Sequence, residues 1–170
     1  MCIRDSPEAQ ARVAAEAAGL RPEFGTLGGL RFTRDVFREA LRLYPPVPMM
    51  VRETTRAEAF RGRKVRKGAQ VVISPWHLHR HERIWDRPDA FDPDRWAGEG
   101  RETAREGYLP FSRGPRVCPG AGFAMLEGTL MLAHLVRAFR FDAVEGRVPV
   151  PMAQLTVRAK DGIWLRVMPR

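Results

Sequence analysis

Between residues 119 and 136 the apolar side chains Phe123, Leu126, Leu130, Ala133, Leu135 and Val136 recur at helical spacing, which predicts a long helix over 119–136 with Pro119 in its first turn. A second helix is expected over 7–18, PEAQARVAAEAA, a run of strong helix formers stopped at Gly19. It carries few large apolar residues, so a surface position is expected. Residues 19–30, with glycines at 19, 25, 28 and 29, read as a loop. Thr33 is placed to cap a third helix that buries Val36, Phe37, Ala40 and Leu41 and ends before Pro45 and Pro46.

From Met50 the pattern shortens. Segments 50–55, 57–60 and 69–74 read as strands separated by turns at Arg61–Gly62 and Lys67–Gly68, forming a small, mostly antiparallel sheet. Ser74, Pro75 and Trp76 mark a turn or short helix. The stretch 85–96, WDRPDAFDPDRW, combines structure-breaking prolines with aromatic residues and predicts a packed coil. Residues 97–109 are polar and expected to be exposed. A strand over 139–144 and a hairpin of 155–158 with 163–167, joined across Asp161 and Gly162, complete the chain. The fold class is mainly α with small β-sheets.

Composition adds limits. The 170 residues are 44% hydrophobic and 29% charged, which is the balance of a globular chain long enough for one core. No apolar run reaches membrane-spanning length, and the polar opening Met1 to Ser6 is not a signal peptide. Two distant cysteines, Cys2 and Cys118, form no disulfide framework, which fits a cytoplasmic setting. The formal charge of +9 is spread along the chain without interleaved aromatics, so it argues for an acidic protein partner rather than nucleic acid.

Candidate chemistry centres on Phe111–Gly122, FSRGPRVCPGAG. Cys118 sits between turn formers and the predicted long helix, where free amides and the helix dipole favour a thiolate, with Arg116 adding positive charge. From the residues alone it is a nucleophile, a redox thiol, a metal ligand or an inert cysteine. His77, His79 and His81 alternate and would share one face of a strand, but the turn formers before them scatter the rings. His134 is an ordinary helix residue. Glu39 and Arg42, three apart, form an ion pair on one helix face.

The pattern FxxGxRxCxG, filled by Phe111, Gly114, Arg116, Cys118 and Gly120, resembles the haem loop of the cytochrome P450 family. Glu39 and Arg42 in a proline-ended helix resemble its ExxR signature. Pro88, Phe91, Pro93 and Arg95 resemble its PxxFxPxRF coil, with Trp96 where phenylalanine is usual. With Arg52, which resembles the family's propionate-pairing arginine, four signatures stand in family order and at compatible distances. The resemblance covers residues 7–170 as the C-terminal part of a single, incomplete P450 domain, while residues 1–6 are read as unmatched, a foreign or misread start.

The resemblance implies a haem-thiolate monooxygenase of the soluble bacterial type that inserts one oxygen atom of dioxygen into a hydrophobic substrate. A non-catalytic or cysteine-nucleophile protein with the same motifs is the alternative. Haem b would be held by Cys118 as the proximal iron ligand, with Phe111 and Gly120 in the loop and Arg52 and Arg116 at the propionates. Arg95 would join Glu39 and Arg42 in a buried structural network. Val47, Met49, Met50, Val51 and Met152 would contact substrate. A ferredoxin or flavoprotein would supply electrons, with Arg113 facing it, and the fragment alone would be inactive.

Overall fold

The computed structural model of the chain describes residues 3–21, 28–97 and 107–170. Cys2, Gly25 and most of the polar segment expected at 97–109 lie outside the described residues. Four helices, α1 (Pro7–Ala18), α2 (Arg31–Leu43), α3 (Pro75–Leu78) and α4 (Ala121–Ala138), carry most of the regular structure. The strands are β1 (Met50–Glu53), β2 (Glu58–Phe60), β3 (Arg63–Val65), β4 (Gln70–Ile73), β5 (Phe139–Ala143), β6 (Pro151–Ala153), β7 (Val157–Ala159) and β8 (Leu165–Pro169). They pair only in twos, all antiparallel: β1 with β4, β2 with β3, β5 with β8 and β6 with β7. This is the expected mainly helical fold with small sheets.

The core forms where α1, α2 and α4 meet. Val13, Val36 and Val136 pack together with Phe91, Phe141 and Ile3, and Ala17, Leu20, Leu30 and Ala133 form an adjoining cluster. Helix α1 is therefore not a surface helix: Ala9, Val13 and Ala17 are buried, because small side chains on one face let α4 approach closely. Gln10, on the same face, is also buried. Its Nε2 donates to the Phe141 carbonyl at 2.7 Å and its Oε1 accepts the Phe141 N–H at 2.9 Å. The opening residues Ile3–Asp5 form a 3-10 turn whose Ile3 carbonyl also accepts from Gln10.

The start of α2 is capped in a way that local sequence does not reveal. Thr33 lies within the first turn and does not act as the N-cap; Leu30 occupies that position and has no capping side chain. Instead the Glu16 carboxylate on α1 accepts the backbone N–H groups of Phe32 and Thr33 and the Thr33 hydroxyl, each at 2.8 Å. A carboxylate at the positive end of α2 satisfies free amides and complements the dipole, and it also ties two helices together. Between α2 and α4, Gly128 makes room for Phe37: a Cβ there would collide with the ring.

Other expectations shift. The single sheet over 50–74 is two separate ladders, because β2 turns back on β3 at Arg61 and Gly62, both at positive φ, while β1 reaches across to β4. Gly162 does make a turn, with φ 78°, but the strands beside it do not pair with each other. β7 returns to β6 as the C-terminal hairpin, and β8 pairs with β5. β7 is thus taken by the nearer β6, and β8 by the distant β5. Helix α4 starts at Ala121, so Pro119 precedes it. Gly107, Tyr108 and Leu109 are packed, not exposed.

Candidate functional site

Two groups of functional side chains flank the turn from α3 into the packed coil. The first is centred on α2, where Glu39 and Arg42 are wholly buried. Arg42 makes a bidentate pair with Glu39, Nε to Oε2 at 2.9 Å and Nη2 to Oε1 at 2.8 Å. Its Nη1 donates to the carbonyls of His79 and Pro88, and Nη2 to that of Ala90. All five guanidinium hydrogens are thereby used. Arg95 Nε donates to Glu39 Oε1 at 2.9 Å, and the Asp92 amide does so at 3.0 Å. The structure thus brings Glu39, Arg42 and Arg95 together.

Trp96 belongs to the same network, because its indole Nε1–H donates to Glu39 Oε2 at 3.1 Å. The sequence carries a signal for this: a tryptophan in a buried aromatic position needs an acceptor that phenylalanine does not. Trp96 also packs against Trp85 and Tyr108. Burial raises the Tyr108 phenol above its ordinary range, and its hydroxyl donates to the Arg38 carbonyl at 3.2 Å. The network is one of structure: charges removed from water are paid back by paired hydrogen bonds.

The three histidines are separated, each with its own partner. His77 Nδ1 meets the Ser74 hydroxyl at 2.9 Å, His81 Nδ1 accepts the Arg83 N–H at 3.1 Å, and His79 is buried between Arg42 and Leu109. Among the described residues no cluster of three or more His, Cys, Asp or Glu could hold a metal.

The second group surrounds Cys118. Leu109–Ser112 leads into a loop that reverses at Ser112 and Gly114, with φ of 65° and 74°, then makes a 3-10 turn over Gly114–Arg116. The Cys118 amide donates back to the Phe111 carbonyl at 2.9 Å, closing the loop. The Cys118 carbonyl accepts the Ala121 amide at 3.3 Å, so the cysteine stands two residues before the N-cap Gly120 rather than inside the first turn. The side chain of Cys118 is exposed. A Cβ on Gly120 would lie 3.9 Å from Sγ, so glycine leaves that side of the sulfur open.

Arg52 on β1 reaches this loop. Its Nη2 donates to Ser112 Oγ and its Nη1 to the Val51 carbonyl, both at 2.9 Å. Ser112 is a site residue that sequence reasoning misses; its position inside the motif, between Phe111 and Gly114, is the available signal. Arg113 and Arg116 are exposed, and Phe111 is half-buried. Beyond the cysteine, α4 leaves Phe123, Leu126, Met131 and Leu135 exposed, while Ala133 and Val136 face the core. An open sulfur, flanking guanidinium groups and bare apolar side chains fit a flat, anionic, largely apolar prosthetic group that brings its own remaining metal ligands.

The segment after α2 and the β6–β7 hairpin come together through the Val157 N–H, which donates to the Pro46 carbonyl at 2.9 Å. A cavity of about 270 Å³ lies between them, lined by Met49, Trp76, Pro151, Ala153 and Val157 among others. Val47, Val51 and Met152 are exposed and do not line it, and Met50 is half-buried in β1.

Comparisons with known proteins agree with this geometry. Residues 1–165 match the family model described as Cytochrome P450. Cyclooctatin synthase of Streptomyces melanosporofaciens is 38% identical over 169 residues, covering 96% of this chain and 36% of that protein. Human Cytochrome P450 4A11 is 40% identical over 144 residues, covering 83% of this chain and 27% of that protein. The crystal structure of the cytochrome P450DA heme domain superposes with a TM-score of 0.87 at 32% identity, covering 96% of this chain and 37% of that one. The chain spans about a third of the length of such relatives, and corresponds to their C-terminal portion.

Proposed function

This chain belongs to the cytochrome P450 family, and from that premise we propose that the protein it comes from is a haem-thiolate monooxygenase acting on a hydrophobic substrate. The observation that carries the proposal is the exposed Cys118 in a closed loop, with its amide tied to Phe111 and Arg52 anchored on Ser112. Bound haem b would supply a redox-active iron for dioxygen activation, with Cys118 as its thiolate ligand.

The chain's own residues then divide the work. Phe111 and Gly120 frame the sulfur, the first by accepting the Cys118 N–H and the second by having no side chain. Arg52 and Arg116 would hold the propionates as charge partners. Glu39, Arg42 and Arg95 keep the coil of residues 85–96 on α2 and touch no substrate. Met49, with Trp76, Pro151, Ala153 and Val157, lines the cavity with apolar surface suited to aliphatic or polycyclic molecules, and Val47, Met50, Val51 and Met152 would meet substrate outside it. Electrons would come from an acidic ferredoxin or flavoprotein docking near Arg113 and Arg116, supported by the formal charge of +9. A cytoplasmic setting is part of this reading. Among the described residues no helix is long and apolar enough to cross a membrane.

Because the chain covers about a third of its relatives, activity is assigned to the full-length protein and the 170 residues alone are held to be inactive. The test is the carbon monoxide difference spectrum of the reduced full-length protein. A red-shifted thiolate-type Soret band is expected, and its loss on Cys118→Ala. Retention of that band by the alanine variant would overturn the proposal.

A further inference from the structure

His79 is the one buried histidine of the described residues that the haem reading leaves without a task. Its ring is inaccessible to solvent, with Nδ1 3.0 Å from the Arg42 carbonyl and Nε2 2.8 Å from the Leu109 amide nitrogen. A carbonyl only accepts and a backbone amide only donates, so these partners admit a single form of the ring: neutral, with its proton on Nδ1. We propose that His79 is a positioning residue that clamps the entry to the Cys118 loop onto the end of α2, and so sets the iron ligand against the Glu39–Arg42 network. The proposal rests on the reading of Cys118 as that ligand.

The contacts run in both directions. Arg42 accepts the His79 proton at its carbonyl and returns a hydrogen bond from Nη1 to the His79 carbonyl at 2.8 Å. On the far side, Leu109 is held at its amide by His79 and at its carbonyl by the Ser112 amide at 3.3 Å, and Phe111 receives the Cys118 N–H. One imidazole therefore spans from the last turn of α2 to a point two residues before the carbonyl that fixes the cysteine. The Tyr108 ring closes over it, with centroids 5.4 Å apart.

The charged groups facing the ring are Arg42 on α2 and Arg80 just after α3, while Glu39 is committed to Arg42 and Arg95. Burial first, and then these two cations, push the His79 pKa down to about 4 against the opposing pull of the Arg42 carbonyl. Protonation would place a second N–H against that of Leu109 and release the loop from its clamp.

The test uses the haem-loaded full-length protein and requires no turnover. Proton–nitrogen correlation of the ring near neutral pH should find Nδ1 protonated and Nε2 bare. His79→Leu keeps bulk but neither hydrogen bond, and should lower the protection of the Leu109 amide against hydrogen exchange about tenfold or more. It should also reduce the fraction of the reduced carbon monoxide complex with the thiolate-type band. His79→Gln, which retains a donor and an acceptor, should restore part of both. A ring protonated at Nε2, or a folded leucine variant with Leu109 protection and band unchanged, overturns the proposal. If the leucine variant does not fold, the wild-type protein decides: Leu109 protection must fall as pH approaches about 4, and its persistence there overturns the clamp. A wild-type protein without the thiolate band defeats the haem-ligand reading, while the tautomer and Leu109 protection still judge the clamp separately.

Discussion

Around Glu39 every guanidinium hydrogen of Arg42 ends on an oxygen of the same chain, whereas around Cys118 the sulfur, Val117 and Arg116 all face outward. Both regions are rich in arginine, yet the first is closed by main-chain carbonyls and one carboxylate and the second is open. The difference separates two uses of charge. Enclosed charges hold the chain's shape, and removing one partner strands the other; open charges and an open thiol are free to meet something else.

The comparison is broken most severely at Glu39. Glu39→Ala strips the shared carboxylate from Arg42, Arg95 and the Trp96 indole, leaving the Arg42 charge buried with carbonyl acceptors alone, and a loss of ~3–5 kcal/mol is expected in denaturant unfolding. A variant as stable as the parent would place the network outside the core. Next in size is acid. The folded-state pKa of His79 lies below its ordinary value of 6.5, at about 4, so the neutral ring stabilises the fold above 6.5 and that contribution drains away as pH falls towards 4. In that window the unfolded chain binds more protons, and stability should fall by up to ~1.4 kcal/mol per pH unit. His79→Leu should flatten that slope, and an unchanged slope would dissociate the acid sensitivity from His79.

Smaller changes sharpen the contrast. Glu16→Ala removes the cap of α2 from across the helix pair and should cost ~0.5–2 kcal/mol, readable as a lower unfolding midpoint. Arg12 and Asp94 form a bidentate pair at 2.7 Å, and hydrogen bonding to Arg12 holds the Asp94 carboxyl below its ordinary range. Both are substantially exposed, so Arg12→Ala should cost only ~0.2–1 kcal/mol, and less in high salt. Cys118→Ala marks the far end: stability within ~0.5 kcal/mol of the parent, but no thiolate-type spectrum in the haem-loaded protein. A large loss of stability there would make Cys118 a packing residue.

Local patterns made the helices and the Glu39, Arg42, Arg95 and Cys118 motifs legible. Residues 7–18 carry their own start and stop, and α1 has the expected bounds. What local pattern could not convey was the far partner. An alanine-rich face reads as exposed until α4 is known to lie against it, and Thr33 reads as a cap until Glu16 arrives from another helix. The Asp161–Gly162 turn was legible, but not that β5 and β6 had stronger claims on the strands around it. His79 was visible as one of three alternating histidines; its burial depended on Arg42 and Leu109, 37 and 30 residues away.

Gln10 has a consequence for self-association. β5 is bonded along one edge to β8, and on its other edge the Gln10 amide takes both the N–H and the carbonyl of Phe141, as a residue of an adjoining strand would. A side chain thereby stops the ladder at two strands, where an open edge would template pairing with another molecule. Gln10→Leu would fill the same space and leave that edge unsatisfied, turning a terminated sheet into a nucleus for aggregation.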